Sequence, residues 1–206
     1  MATNLNVEHR FLSTSSLLLI RVVLIVGGLL WGSWYFGMNL IGWGRPGSDG
    51  YERYELYNRI APAVFLLLVV GIQGAHRILN KRYNRWGNTG CYIISFGLTV
   101  MIIGSALEFW IFTESSYDSN SLRHWGWGTY CIGLLLFYIG TSVFGAVLTK
   151  LKGLQIAGFL FLGWLPIGAL SVGLGTLSGI SIPALSLAVA VCGVGYILLG
   201  FNLKDY

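Results

Sequence analysis

Residues 153–203 read GLQIAGFLFLGWLPIGALSVGLGTLSGISIPALSLAVAVCGVGYILLGFNL, with no Asp, Glu, Lys, Arg or His. Two apolar stretches, 153–173 and 180–201, flank a short run of Gly, Thr and Ser. Each is about 20 residues, the length at which a helix rising ~1.5 Å per residue crosses a ~30 Å hydrocarbon core. Inside that core no water hydrates the peptide groups, so the backbone must satisfy itself as a helix or a closed barrel. The apolar residues run on without period-two alternation, which excludes the barrel and leaves helices. The fold class expected is therefore all-α, a polytopic bundle of membrane helices.

Composition leads to the same place. Hydrophobic residues make up 55% of the 206 and charged residues 10%, against about 25% charged in soluble domains; mean hydropathy is +0.69. Glycine is frequent, 29 residues, and follows no Gly-X-Y period. Collagen is thereby excluded, and the glycines read as small residues that let membrane helices approach closely. The length suits one transmembrane domain, 1–206.

Reading outward gives six spans at about 17–43, 60–76, 90–112, 126–149, 153–173 and 180–201. Of the 13 basic residues, Arg10, Arg21, Arg77, Lys81, Arg82, Arg85, Lys150, Lys152 and Lys204 fall on one side of this arrangement. Only Arg45, Arg53, Arg59 and Arg123 fall on the other. Positive loops stay in the cytoplasm, so both termini are expected there, in a multi-pass protein of the cell membrane. The first apolar run is too long for a cleavable signal and no small-residue cleavage site follows it. The formal charge of +5 reports this loop asymmetry, and no nucleic-acid partner is expected.

The first outer connection opens with Arg45-Pro46-Gly47-Ser48-Asp49-Gly50, which is turn chemistry. Tyr51, Tyr54 and Tyr57 follow at intervals of three, one face of a short helix expected to lie in the interface with its aromatic side down. The connections near 150–152 and 175–179 are tight, so spans four, five and six should be antiparallel neighbours.

Glu108 is the membrane carboxyl that needs explaining. It lies about a turn inside the outer end of span three, on a face with Gly97, Met101, Gly104 and Ser105. A carboxylate in hydrocarbon costs a few kcal/mol, so it should face the bundle and find a partner, with Arg45, Arg59 and Arg123 as candidates. It reads either as an ion-coupling or ligand-anchoring group, or as a strut between helices. Trp43, Trp110, Trp125 and Trp127 suit an aromatic belt at the headgroups. Trp31, Trp34 and Trp164 sit deeper, and they either pack against neighbouring helices or line an outward cavity for a lipophilic ligand.

Arg21 is placed to snorkel to the inner headgroups. Gly28 and Gly32 form a small-xxx-small pair, and Thr141 with Gly145 a weaker one. His9, His76 and His124 fall at different depths, which argues against haem ligation. Cys91, Cys131 and Cys192 form no CxxC and differ in depth, so they read as small buried hydrophobes. No nucleotide-binding, metalloprotease or nucleophile-elbow pattern occurs, and no mid-span Lys is available for a Schiff base. No cofactor and no metal are expected.

The leading functional expectation is an accessory component, or one that binds lipid or another hydrophobic ligand, without catalytic machinery. Its partners are membrane lipids, with other membrane subunits or further copies of the chain as companions. One alternative is a small transporter or channel using Glu108. Another is a membrane enzyme acting on a lipid or quinone headgroup, drawing on an outer pool that includes Arg45, Arg123 and His124.

Overall fold

The computed structural model describes residues 14–41, 49–112, 122–178 and 181–203, and among these every element is helical. The order is α1 (Thr14–Ile41), α2 (Tyr51–Arg59), α3 (Ala61–Leu79), α4 (Arg85–Ala106), a π-helical turn (Leu107–Ile111), α5 (Leu122–Leu148), α6 (Gln155–Ser178) and α7 (Ser181–Asn202). Among the described residues four segments are long and apolar enough to cross a membrane: Thr14–Met38, Tyr51–Leu79, Arg85–Ile111 and Leu122–Leu148. Gln155–Trp164 and Ser186–Asn202 are shorter apolar stretches of α6 and α7. The outward surface of these helices is greasy: Leu40 is 89% exposed, and Leu19, Phe96, Leu135 and Phe159 all point away from the bundle. So much apolar surface facing outward along helices of this length marks a protein embedded in a membrane.

Helix ends follow local chemistry that a hydropathy count does not see. The Asn84 side chain accepts from the Trp86 amide at 3.1 Å, so α4 starts at Arg85, before the apolar run expected from residue 90. Gly153, expected inside a span, is a turn residue with φ of 85°, which only glycine adopts without strain, and α6 begins two residues later. Helix α6 continues through Gly175 to Ser178, where a turn was expected. Gly50, at φ 86°, turns the chain into α2, and Ile60 joins α2 to α3 almost without interruption.

The long helices pack as a ring of antiparallel neighbours: α1 against α3, α3 against α4, α4 against α5, α5 against α6, α6 against α7, and α7 back against α1. The pairing of α4 with α5 rests on two glycine series at seven-residue intervals, Gly90, Gly97 and Gly104 on one helix and Gly126, Gly133 and Gly140 on the other. A Cβ on Gly133 would stand 2.6 Å from the Met101 amide nitrogen, and one on Gly97 would land on the backbone of Phe137. These helices therefore touch backbone to backbone, as small residues permit. The ring closes the same way where Gly28 and Gly32 of α1 meet Gly193 of α7. There Arg21 Nε also donates to the Gly200 carbonyl at 3.2 Å, so this arginine braces α1 against α7.

Aromatic rings fill the centre. Trp31 is 0% exposed and meets Tyr35, Phe65 and Phe137 edge-on at centroid distances of 6.2, 5.6 and 5.7 Å. Phe137 leads on to Tyr196, and Tyr196 to Phe161, tying α5, α6 and α7 together. Edge-to-face pairs add about 0.5–1.5 kcal/mol each beyond the area they bury.

Substituting Gly133 with Ala should lower the stability of the bundle by about 1–3 kcal/mol, the usual penalty for overpacking. Gly128→Ala, one turn away where a Cβ meets nothing within 4 Å, should be neutral or slightly stabilising. Reversible unfolding of both variants in mixed detergent micelles checks the contrast.

Candidate functional site

The end of the bundle carrying α2 is built around the π-helical turn. Its wider ring passes a hydrogen bond from the Phe112 amide to the Leu107 carbonyl at 3.0 Å, and such turns concentrate at functional positions. The Phe109 carbonyl accepts instead from Arg59 Nε at 3.0 Å, while Trp110 Nε1 donates to the Arg59 carbonyl at 3.2 Å. The turn is thus stitched to the α2–α3 junction from both sides. Gly126 lies against it from α5, where a Cβ would stand 2.7 Å from the Glu108 amide nitrogen.

Arg123, in the first turn of α5, is 1% exposed. Its guanidinium lies 4.9 Å from the centroid of the Tyr51 ring and 5.9 Å from that of Phe109, with a Glu55 carboxylate oxygen 3.9 Å away. Glu55 also accepts from Arg59 Nη2 at 3.1 Å. A chain of alternating charge, Arg59, Glu55 and Arg123, therefore binds α2 to α5. Desolvated cation–π contacts of this kind are each worth about 2 kcal/mol. The expected aromatic face of α2 turns toward the bundle: Tyr57 stacks on Trp34 at 4.4 Å and donates to its carbonyl at 3.0 Å, and Tyr54 meets Phe109 edge-on.

Beneath α2 lies a cavity of about 270 Å³, room for about nine waters at liquid density. Helix α1 contributes Trp34, Tyr35 and Met38 to its wall, and α2 with α3 contributes Tyr54, Asn58 and Ala61. Ser105, Glu108 and Phe109 come from α4 and the π turn. Helix α5 completes it with Trp127, Tyr130, Cys131 and Leu134. Glu108 is 3% exposed and close enough to couple electrostatically to Tyr54 and Cys131. Tyr35 and Tyr130 bring their hydroxyls near each other on the wall, and Asn58 Nδ2 is turned back to the Tyr54 carbonyl at 2.8 Å.

The residues singled out in the sequence distribute unevenly about this cavity. Trp34 and Glu108 are on its wall. Trp31 is sealed one turn deeper in the central aromatic cluster. Trp164 stands on α6, stacked on Tyr138 at 3.6 Å and donating to Ser142 Oγ at 3.1 Å. Arg123 and His124 lie above the wall at the start of α5, His124 with its ring 5.9 Å from that of Trp127. Arg45 falls outside the described residues, as does Trp43. The sequence reading missed Tyr35, Tyr54, Asn58 and Tyr130 as wall residues. Tyr35 follows Trp31 by four, and Trp127, Tyr130, Cys131 and Leu134 recur at three and four on α5, a polar-aromatic stripe visible in the letters.

The other end of the bundle holds a smaller polar cluster. Tyr83, between α3 and α4, shares a hydrogen bond of 2.7 Å with His76 Nδ1, and its hydroxyl lies 3.5 Å from the Cys91 sulfur. Burial first, then the neighbouring Cys91, push the Tyr83 phenol up, so it remains a neutral hydroxyl that fixes the connection. Among the described residues no group of three or more His, Cys, Asp and Glu is arranged to hold a metal, and the three cysteines are unpaired thiols. Comparison with family models, with curated proteins and with solved structures finds no match to this chain.

Arg59→Ala removes the side-chain donor to the Phe109 carbonyl, and should loosen the π turn by about 1–3 kcal/mol, the cost of leaving a buried acceptor unmade. Hydrogen exchange is expected to rise for the amides of 107–112 and to stay unchanged for the α6–α7 pair.

Proposed function

We propose that this protein is a multi-pass component of the cell membrane that binds a small lipophilic molecule in the cavity beneath α2. In this reading α1, α3, α4, α5, α6 and α7 are six spans, and the end bearing Lys81, Arg82, Arg85, Lys150 and Lys152 faces the cytoplasm. The observation that supports binding is the cavity itself, mostly aromatic and apolar, with a few polar groups converging on it: Asn58, Ser105, Glu108 and the Tyr35–Tyr130 pair. Concave, largely apolar sites with a small number of placed polar groups are the usual form of small-molecule pockets. Trp127 both lines the cavity and is 46% exposed, which favours access from the side of the bundle along α5.

Binding of a compact lipophile such as adamantanol tests the reading, with the protein in lipid nanodiscs and the fluorescence of Trp34 and Trp127 as the signal. Saturable binding is expected in the native chain. Cys131→Phe, which fills the cavity, should abolish it, and Ile132→Phe, at a neighbouring position 60% exposed on the outer surface, should leave it intact. Equal responses from the two variants would show that the signal comes from the lipid and would overturn the reading. For orientation, reporter fusions at either terminus should be active only as cytoplasmic reporters.

A further inference from the structure

Resting on that reading, we propose that the ligand of the α2 cavity is an organic cation, a compact lipophilic amine or quaternary ammonium, held by Glu108 within an aromatic cage. Trp34, Tyr35, Tyr54, Phe109, Trp127 and Tyr130 all line a space of only about 270 Å³. The face of an aromatic ring attracts a cation, and cages of several rings are the usual way proteins hold alkylammonium groups.

Glu108 supplies the charge. Its residue is 3% exposed on the cavity wall, and Glu is the one formally charged residue type in that wall. Among the described lining residues there is no Lys, Arg or His. Of the basic groups at this end, Arg59 contacts Glu55, the Phe109 carbonyl and the Trp110 ring, and Arg123 contacts Glu55 and the rings of Tyr51 and Phe109. The polarity of the site is therefore that of a cation receptor. An anionic headgroup entering it would meet a carboxylate and a largely aromatic wall with no basic residue among its described members. The small volume adds a limit on size, which excludes a whole phospholipid and admits a head group of about ten to fifteen heavy atoms by comparison with ordinary ligand pockets.

Adamantylamine and adamantanol have the same cage-shaped body and differ in the charge of one substituent, so the pair isolates the cation. In nanodiscs of uncharged phosphatidylcholine the native protein is expected to bind the amine at least about tenfold more tightly than the alcohol, one charge-assisted hydrogen bond's worth. Glu108→Gln should bring the amine down to the affinity of the alcohol and leave the alcohol within about twofold. Trp127→Leu, on the exposed side of the wall, should weaken the amine more than the alcohol without disturbing the core. Equal affinity of native protein for the two compounds would overturn the cation assignment while leaving the pocket a binding site. Failure of both to bind, with Cys131→Phe and native protein indistinguishable, would remove the binding reading as well. Because the native ratio decides the matter by itself, the inference stands or falls even where Glu108→Gln does not fold.

Discussion

Backbone contact between α4 and α5 sets the geometry on which the rest of the bundle depends. With glycine at seven-residue intervals on both helices, the two axes come together until main chain meets main chain. In lipid there is little hydrophobic gain from bringing helices together, so close packing and the dispersion it yields must hold them. The contact runs the length of both helices, from Gly90 against Phe144 to Gly126 against Glu108. The last of these bears on the cavity, because the space left by the absent Gly126 side chain lets the π turn seat directly on α5. Glu108 is thereby carried to the bundle interior rather than to lipid.

The π turn and α2 then form one unit. A π turn leaves carbonyls out of the regular helical ladder, and the Phe109 carbonyl is taken up by Arg59. Arg59 in turn shares Glu55 with Arg123, and Arg123 is layered between Tyr51 and Phe109. Glu55, Arg59 and Arg123 thus serve one another above the cavity. The wall below them is mostly aromatic and apolar, with Glu108 as its charged residue among the described ones, and that polarity is what the functional reading rests on.

How much of this was legible in the letters depends on which physical signal each feature leaves. The helical class and membrane embedding follow from residues 153–203, because a long stretch without charge has few places to go. Short-range effects were harder to read. The Asn84 cap and the positive φ of Gly153 move helix ends in ways that average hydropathy cannot register. Glu108 stood out in the sequence because charge in an apolar run is costly. Tyr54 and Tyr130 did not, since tyrosine is at home in the interface, at helix contacts and in pockets alike. The heptad glycines of α5 were present as a periodic signal, but their meaning depends on meeting a second series on α4, which is a property of two helices and not of one. Trp31 and Trp164 show the reverse: both are deep tryptophans, yet one is core and the other is a stack on Tyr138.

The closure of the ring by α7 against α1 has a consequence for how the molecule is made. Each of the other neighbours in the ring follows its partner in the chain, so those pairs can dock as synthesis proceeds. The notch at Gly28 and Gly32, however, belongs to the first long helix and is filled by Gly193 of the last. That notch stays unfilled by its own chain until the last long helix has been synthesised. The α1–α7 docking therefore joins the two long helices farthest apart in the chain and cannot happen until the last of them has been made.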